Sequence, residues 1–344
     1  MMKNKGLIAS VVVIIAVVIG FFIYQTMNTP AKTAKKAEDK VQTVGILQFV
    51  SHPALDTITK GVKDALKEAG YQEGKNLKIV FQNGQADQSK LATMSQQLVD
   101  KKADVLVGVA TPAAQSLANT TKDIPIVLGA VTNPVGAKLV ASLDNPGGNV
   151  TGVSDQPPVA SQIKLGKELL PNAKTVGMLY SSTEVNSKYQ VNEASKTAES
   201  LGMAVKEYPV ASTNEIAQTV QVMSQNVDFI YIPLDNTIAN AMQAVVGEAN
   251  KSKTPIITSV DTMVEQGGLA TVGIDQYTLG KKTGQMVVQI LKGADPSVTP
   301  VYTFKEGVTV LNEKQAEFLG IQIPDNLKKE AVSVKFFPKT ENKN

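Results

Sequence analysis

The chain has 344 residues, 43% hydrophobic, a net charge of +3, and 34 basic residues that are all lysine. That length suits two domains with real cores, and the lack of arginine argues against a nucleic-acid reader, which depends on bidentate guanidinium contacts. With no cysteine and one histidine, His52, disulfides, zinc–thiolate sites, lipidated cysteine and multi-histidine metal centres are excluded, and no cofactor is expected.

Lys3 and Lys5 precede an apolar run over 7–24. A positive flank before an apolar stretch marks a secretory signal or a membrane anchor. The run is at the short end for spanning a bilayer, and no small-x-small cleavage site follows it. We favour an uncleaved anchor over 1–27, with a cleaved signal as the alternative. The leading lysines stay cytoplasmic in either case, so the remainder is exported. Residues 28–40 are polar and lysine-rich and read as a flexible tether.

From residue 41 short apolar runs alternate with amphipathic helices. Strands are expected at 44–49, 77–81, 105–109, 125–128 and 150–153, with helices at 54–69, 88–101 and 112–120. The first helix carries Leu55, Ile58, Val62 and Leu66 at helical spacing and stops at Gly70. The pattern then restarts. Strands are expected at 175–180, 204–208, 229–232 and 255–259, and helices at 187–201, 214–225, 237–251 and 277–292. Such alternation argues a parallel doubly wound α/β sheet.

The restart is an internal repeat. Thr43-Val-Gly-Ile-Leu47 matches Thr175-Val-Gly-Met-Leu179, Asp104 matches Asp228, and Asp123-Ile-Pro-Ile-Val127 resembles Lys253-Thr-Pro-Ile-Ile257. A period near 130 residues is too long for a solenoid and means two copies of one α/β domain. Aligning the third strands sets Thr111 and Pro112 opposite Asp235 and Asn236. Loops at the carboxyl ends of such strands bind ligands, and domain interfaces are preferred sites. The expected plan is therefore two Rossmann-like lobes on a hinge. Lobe 1 takes 41–153 plus 274–300, and lobe 2 takes 154–273 plus 301–338, with crossings near 152–155, 274–275 and Pro300.

Four stretches carry a resemblance: Phe49-Val-Ser-His-Pro-Ala-Leu-Asp56, Ala110-Thr-Pro-Ala-Ala-Gln115, Asn145-Pro-Gly-Gly-Asn-Val-Thr-Gly-Val153 and Pro233-Leu-Asp-Asn-Thr237. Together they resemble ABC-transporter substrate-binding proteins of the type I periplasmic-binding-protein fold, a group that includes tryptophan- and tyrosine-binding members. The resemblance implies a monomeric extracytoplasmic receptor. It would deliver a small solute, an aromatic amino acid with tryptophan favoured, to a membrane permease driven by a separate ATPase; the alternatives are a binding protein for another small amino acid or carboxylate, or a ligand-sensing surface receptor.

A free amino acid presents a carboxylate, an ammonium and a side chain. Without arginine, a helix N-terminus is the natural carboxylate donor, and Thr111, Pro112 and Ala113 open such a helix. Thr132 and Asn133 add a hydroxyl and an amide. For the ammonium, Asp235 is the first candidate and Glu184 the alternative; Asp235 and Asn236 could instead cap the helix beginning near Thr237. Asn186 and Ser187 either bond ligand or cap their own helix. Phe49 and Tyr180 end equivalent strands and either face each other across the cleft as a ring-binding pair or belong to the core. Leu55 adds apolar wall, and His52 a neutral polar contact. An enzyme is disfavoured. Ser51 and His52 are adjacent, which rarely satisfies nucleophile–base geometry, and there is no Gly-x-Ser-x-Gly elbow. A phosphate-binding glycine loop is absent too.

Overall fold

The computed structural model describes residues 41–304 and 307–333; the expected anchor and tether lie outside them. In chain order the first part runs β1 (Gln42–Gln48), α1 (Pro53–Glu68), β2 (Leu77–Asn83), α2 (Gln88–Asp100), β3 (Val105–Val109), α3 (Thr111–Thr120), β4 (Ile126–Gly129) and β5 (Val150–Ser154). The second runs α4 (Val159–Leu169), β6 (Thr175–Ser181), α5 (Val185–Ser200), β7 (Ala204–Val210), α6 (Ile216–Met223), β8 (Phe229–Ile232), α7 (Asn236–Asn240), α8 (Met242–Lys251), β9 (Ile256–Thr258), α9 (Asp261–Glu265) and β10 (Ala270–Gly273). The chain ends with α10 (Gln276–Leu291), β11 (Tyr302–Thr303), β12 (Val308–Leu311), α11 (Glu313–Leu319), α12 (Asp325–Glu330) and β13 (Val332–Ser333).

These strands form two sheets, ordered β11-β5-β4-β3-β1-β2 and β13-β12-β10-β9-β8-β6-β7. Every pairing between the named strands is parallel except β10 with β12. Strands covered by helices on both faces must be apolar throughout, which is why Val-Leu-Val-Gly-Val in β3 and Phe-Ile-Tyr-Ile in β8 are buried at every position. In each sheet the order reverses beside the first strand of the repeat, between β1 and β3 and between β6 and β8. The repeat also has a physical basis outside the core. Asp104 Oδ2 accepts from Thr43 N at 2.7 Å, and Asp228 Oδ2 accepts from Thr175 N at 2.8 Å. Each aspartate pins the start of the neighbouring strand.

Three features depart from the sequence expectation. The helix expected over 237–251 is broken into α7 and α8 at Ala241, whose φ of −110° and ψ of 18° interrupt the helical ladder. The third crossing, expected near Pro300, comes after Thr303, because β11 pairs with β5 in the first sheet. Helices α4, α9, α11 and α12 and strands β10, β12 and β13 add to the second lobe beyond the expected elements.

Helices α1 and α10 pack unusually closely. A Cβ on Gly280 would stand 2.2 Å from the Ile58 carbonyl, and one on Gly284 2.6 Å from that of Val62. Replacing Gly280 by alanine should force the helices apart and cost about 2–3 kcal/mol, read by urea denaturation. A cost below about 0.5 kcal/mol would show that the contact yields.

Candidate functional site

The switch-point loops of both sheets meet at one cavity. Lobe 1 contributes His52, Ala54, Leu55 and Ile58 from the start of α1, Ala110 and Thr111 after β3, and Ala130 and Thr132 after β4. Lobe 2 contributes Asn186 from α5, Leu234, Asp235, Asn236 and Ala239 after β8, and Val260 and Met263 around the start of α9. Asp155 and Gln276, beside two of the crossings, complete the lining.

The lobes touch across this cavity. His52 Nε2 lies 3.2 Å from Asn236 Oδ1, and Gln88 Nε2 donates to the Thr183 carbonyl at 2.9 Å. Ala54, on α1, is buried in an apolar cluster otherwise built from lobe 2 residues such as Leu179, Ile232 and Ile238. Both contacts and the shared cluster require a closed cleft.

Asp235 caps α7. Its Oδ1 accepts from Ile238 N at 2.8 Å and its Oδ2 from Ser181 N at 2.6 Å. Burial, and then the nearby charge of Glu184, push its carboxyl well above the usual range. Glu184 does not offer a free acceptor. Its Oε1 accepts from Thr237 N and Oγ1 at 2.9 and 2.8 Å, and its Oε2 from Asn236 N and Nδ2 at 3.2 and 2.6 Å. This carboxylate joins the loop after β6 to the start of α7, and Asn236 and Thr237 are held by it.

The aromatic pair does not face the cleft. Phe49 is 1% exposed within the lobe 1 core, and Tyr180 lies in the lobe 2 core with its hydroxyl donating to Glu207 Oε2 at 2.6 Å. Phe49 follows the last residue of β1, and Tyr180 is the penultimate residue of β6. Ser51 is exposed and donates to Asp56 Oδ2 at 2.7 Å. Pro112, Ala113 and Ser187 are buried in the first turns of α3 and α5 without lining the cavity. Asn133 lines a second cavity that shares Thr111 and Asn186 with the first. Of the expected residues, His52, Leu55, Thr111, Thr132, Asn186, Asp235 and Asn236 come together. The apolar walls that Phe49 and Tyr180 do not provide come instead from Leu55, Ile58, Leu234, Val260 and Met263.

Three buried polar atoms of the lining have no hydrogen-bond partner among the described residues: His52 Nδ1, Asp155 Oδ1 and Asn186 Oδ1. Such atoms are costly unless a ligand satisfies them. Burial raises the Asp155 carboxyl to about 6, against smaller lowering by the Thr132 hydroxyl. Burial lowers His52, outweighing the Asn236 contact and the Asp56 charge that raise it. The N-termini of α3 and α7 differ. Asp235 and Glu184 occupy that of α7, whereas α3 has no side-chain cap. Its N-cap residue Ala110 has φ 77°, and Ala130, at the end of β4, has φ 65°. Non-glycine residues in that region store strain, which clusters at functional sites. Asp155 was legible only as a crossing residue, and no pattern marked Ala110 or Ala130. Among the described residues no cluster of potential metal ligands occurs.

Residues 43–335 match a family model described as ABC transporter substrate binding protein. A protein of Clostridioides difficile called tyrosine-binding protein is 37% identical over 348 residues, 99% of each chain. A Streptococcus pneumonia ABC domain solved with L-Trp is 54% identical, with a TM-score of 0.83 over 85% of this chain and 99% of that one. A substrate-binding protein with adhesive properties from Clostridium difficile, solved ligand-free and open, is 38% identical, with a TM-score of 0.65 over 85% of this chain and 99% of that one. The chain belongs to the family of ABC transporter substrate-binding proteins.

Proposed function

We propose that this protein binds an aromatic amino acid, L-tryptophan above L-tyrosine, in the cavity between its lobes and presents it to a membrane permease. The observation that carries the reading is one cavity holding both an uncapped helix N-terminus, at Thr111, and a buried carboxylate oxygen without a partner, on Asp155. The first suits a carboxylate and the second an ammonium. Between them Leu55, Ile58, Val260 and Met263 supply apolar walls for a ring. The L-Trp complex and the tyrosine-binding relative support the same ligand class. The higher structural similarity to the L-Trp complex than to the open, ligand-free protein supports reading this structure as the closed form.

Hinge motion supplies the mechanism. A ligand held by lobe 1 at Thr111 and by Asp155 gains the lobe 2 wall only when the cleft shuts, so it shifts the population toward the closed form. The permease reads that form, and its ATPase is a separate chain. The apolar run over 7–24 holds the receptor at the extracytoplasmic face of the membrane as an uncleaved anchor, with 28–40 as its tether.

A thermal-shift panel of the twenty amino acids on a fragment beginning near Lys40 tests this. A ligand that binds only the folded state raises the melting temperature as its concentration exceeds Kd. L-tryptophan and L-tyrosine should give the largest shifts. No shift with any amino acid would remove the ligand assignment and leave the fold standing.

A further inference from the structure

The inference deepens the reading above and rests on it: it concerns how the ligand's ring is recognised. His52 is the chain's single histidine and stands at the N-cap of α1, where its side chain makes no capping bond. Its Nε2 instead crosses the cleft to Asn236 Oδ1. An imidazole–amide contact leaves the donor open until the amide's orientation is fixed. Glu184 fixes it, because Asn236 Nδ2 donates to Glu184 Oε2 at 2.6 Å and Asn236 N donates to the same oxygen at 3.2 Å. A carboxylate oxygen gathering N–H donors takes the amide nitrogen, not the amide oxygen. The oxygen therefore faces His52, and Nε2 must carry the proton.

Burial holds the ring neutral, so the other nitrogen, Nδ1, keeps its lone pair. That atom is buried, has no partner among the described residues, and belongs to a residue lining the cavity next to Ala54, Leu55 and Ile58. It is an acceptor beside an apolar wall. A site built to bond a substrate N–H or O–H rejects analogues lacking it far more strongly than an apolar pocket can. We propose that His52 Nδ1 accepts a hydrogen bond from an N–H or O–H on the ligand's aromatic ring, making His52 the residue that selects donor-bearing rings. Because Asn236 lies on lobe 2, closing the cleft fixes the tautomer that reads the ring.

Two isosteric pairs test this by calorimetric titration. One is L-tryptophan with β-(3-benzothienyl)-L-alanine, whose ring sulfur replaces the N–H; the other is L-tyrosine with L-phenylalanine. The wild-type chain should prefer the donor-bearing member of each pair by roughly a hundredfold or more. His52→Gln keeps an N–H for Asn236 and removes the Nδ1 acceptor, and its preference should fall to a few-fold. The ratio is read within one variant, so a uniform loss of affinity cancels. A second readout uses the lone histidine, whose two ring nitrogens give one assignable pair of ¹⁵N signals in a labelled sample. The Nε2–H tautomer is expected, with the Nδ1 signal moving on addition of L-tryptophan and not of the sulfur analogue. Equal wild-type binding within both pairs, an undiminished preference in His52→Gln, or an Nδ1–H tautomer would overturn the assignment while tryptophan binding stands. Failure of the wild type to bind any of the four would overturn the ligand reading and this assignment together.

Discussion

Replacing Asp155 by asparagine should abolish tight ligand binding while making the closed, ligand-free form more stable. The carboxylate is buried with one oxygen unpartnered, and burial raises its pKa from 3.8 to about 6. A raised folded-state pKa means that the folded chain holds the proton more tightly than the unfolded one. Below pH 4 both states are protonated and the group costs nothing. Between pH 4 and 6 the unfolded chain ionises first and stability falls; above pH 6 the full cost is present, about 3 kcal/mol for a shift of this size. Asparagine removes that cost, so Asp155→Asn should gain up to about 3 kcal/mol at pH 7 and nothing near pH 4. Binding moves the other way. An ammonium pairs with the ionised form, and losing a buried charge-assisted bond costs roughly 2–5 kcal/mol. For the same reason wild-type affinity should fall about tenfold per pH unit below pH 6. Calorimetric titration and urea denaturation of the two proteins at pH 4.5 and 7 measure both effects. An asparagine variant less stable than wild type at pH 7, or one that binds as tightly, would contradict this assignment.

Replacing Glu184 by alanine should cost about 3–5 kcal/mol. Its carboxylate accepts four hydrogen bonds from Asn236 and Thr237, all buried. Alanine would strand those donors at the start of α7, each at the desolvation cost of an unpaired group. Part of the loss returns, because Asp235 would no longer face the Glu184 charge. The variant should also loosen the cross-cleft contact, since Asn236 would be free to rotate away from His52. The urea midpoint reports the first effect and L-tryptophan affinity the second. A stability loss under about 1 kcal/mol would show that water or a shifted loop replaces the carboxylate.

The architecture was legible because its signals are redundant. Buried parallel strands must be apolar along their whole length, and β3 and β8 were readable at their observed boundaries. The repeat was readable because both copies need an aspartate to hold the strand beside it, at Asp104 and Asp228. Which strand-end loops line the cavity also followed from topology. Which residue of a loop faces the cavity did not. Phe49 and Tyr180 had the right position and chemistry for a ring wall, but strand-end packing turns both into the cores. Met263 and Val260 were invisible because α9 has only five residues, too few to show a period. Asp155 read as a joint between lobes, since nothing in one dimension shows that a residue after a short strand is sealed from water. The positive φ at Ala110 and Ala130 carries no sequence mark, because alanine rarely adopts it.

Titrating L-tryptophan into the soluble chain and its Asp155→Asn variant by calorimetry tests the closed-cleft site most directly. The site described here requires one tryptophan per chain for the wild type, with affinity weakened at least about thirtyfold in the variant. Equal affinity in the two proteins, or more than one tryptophan per wild-type chain, would contradict it.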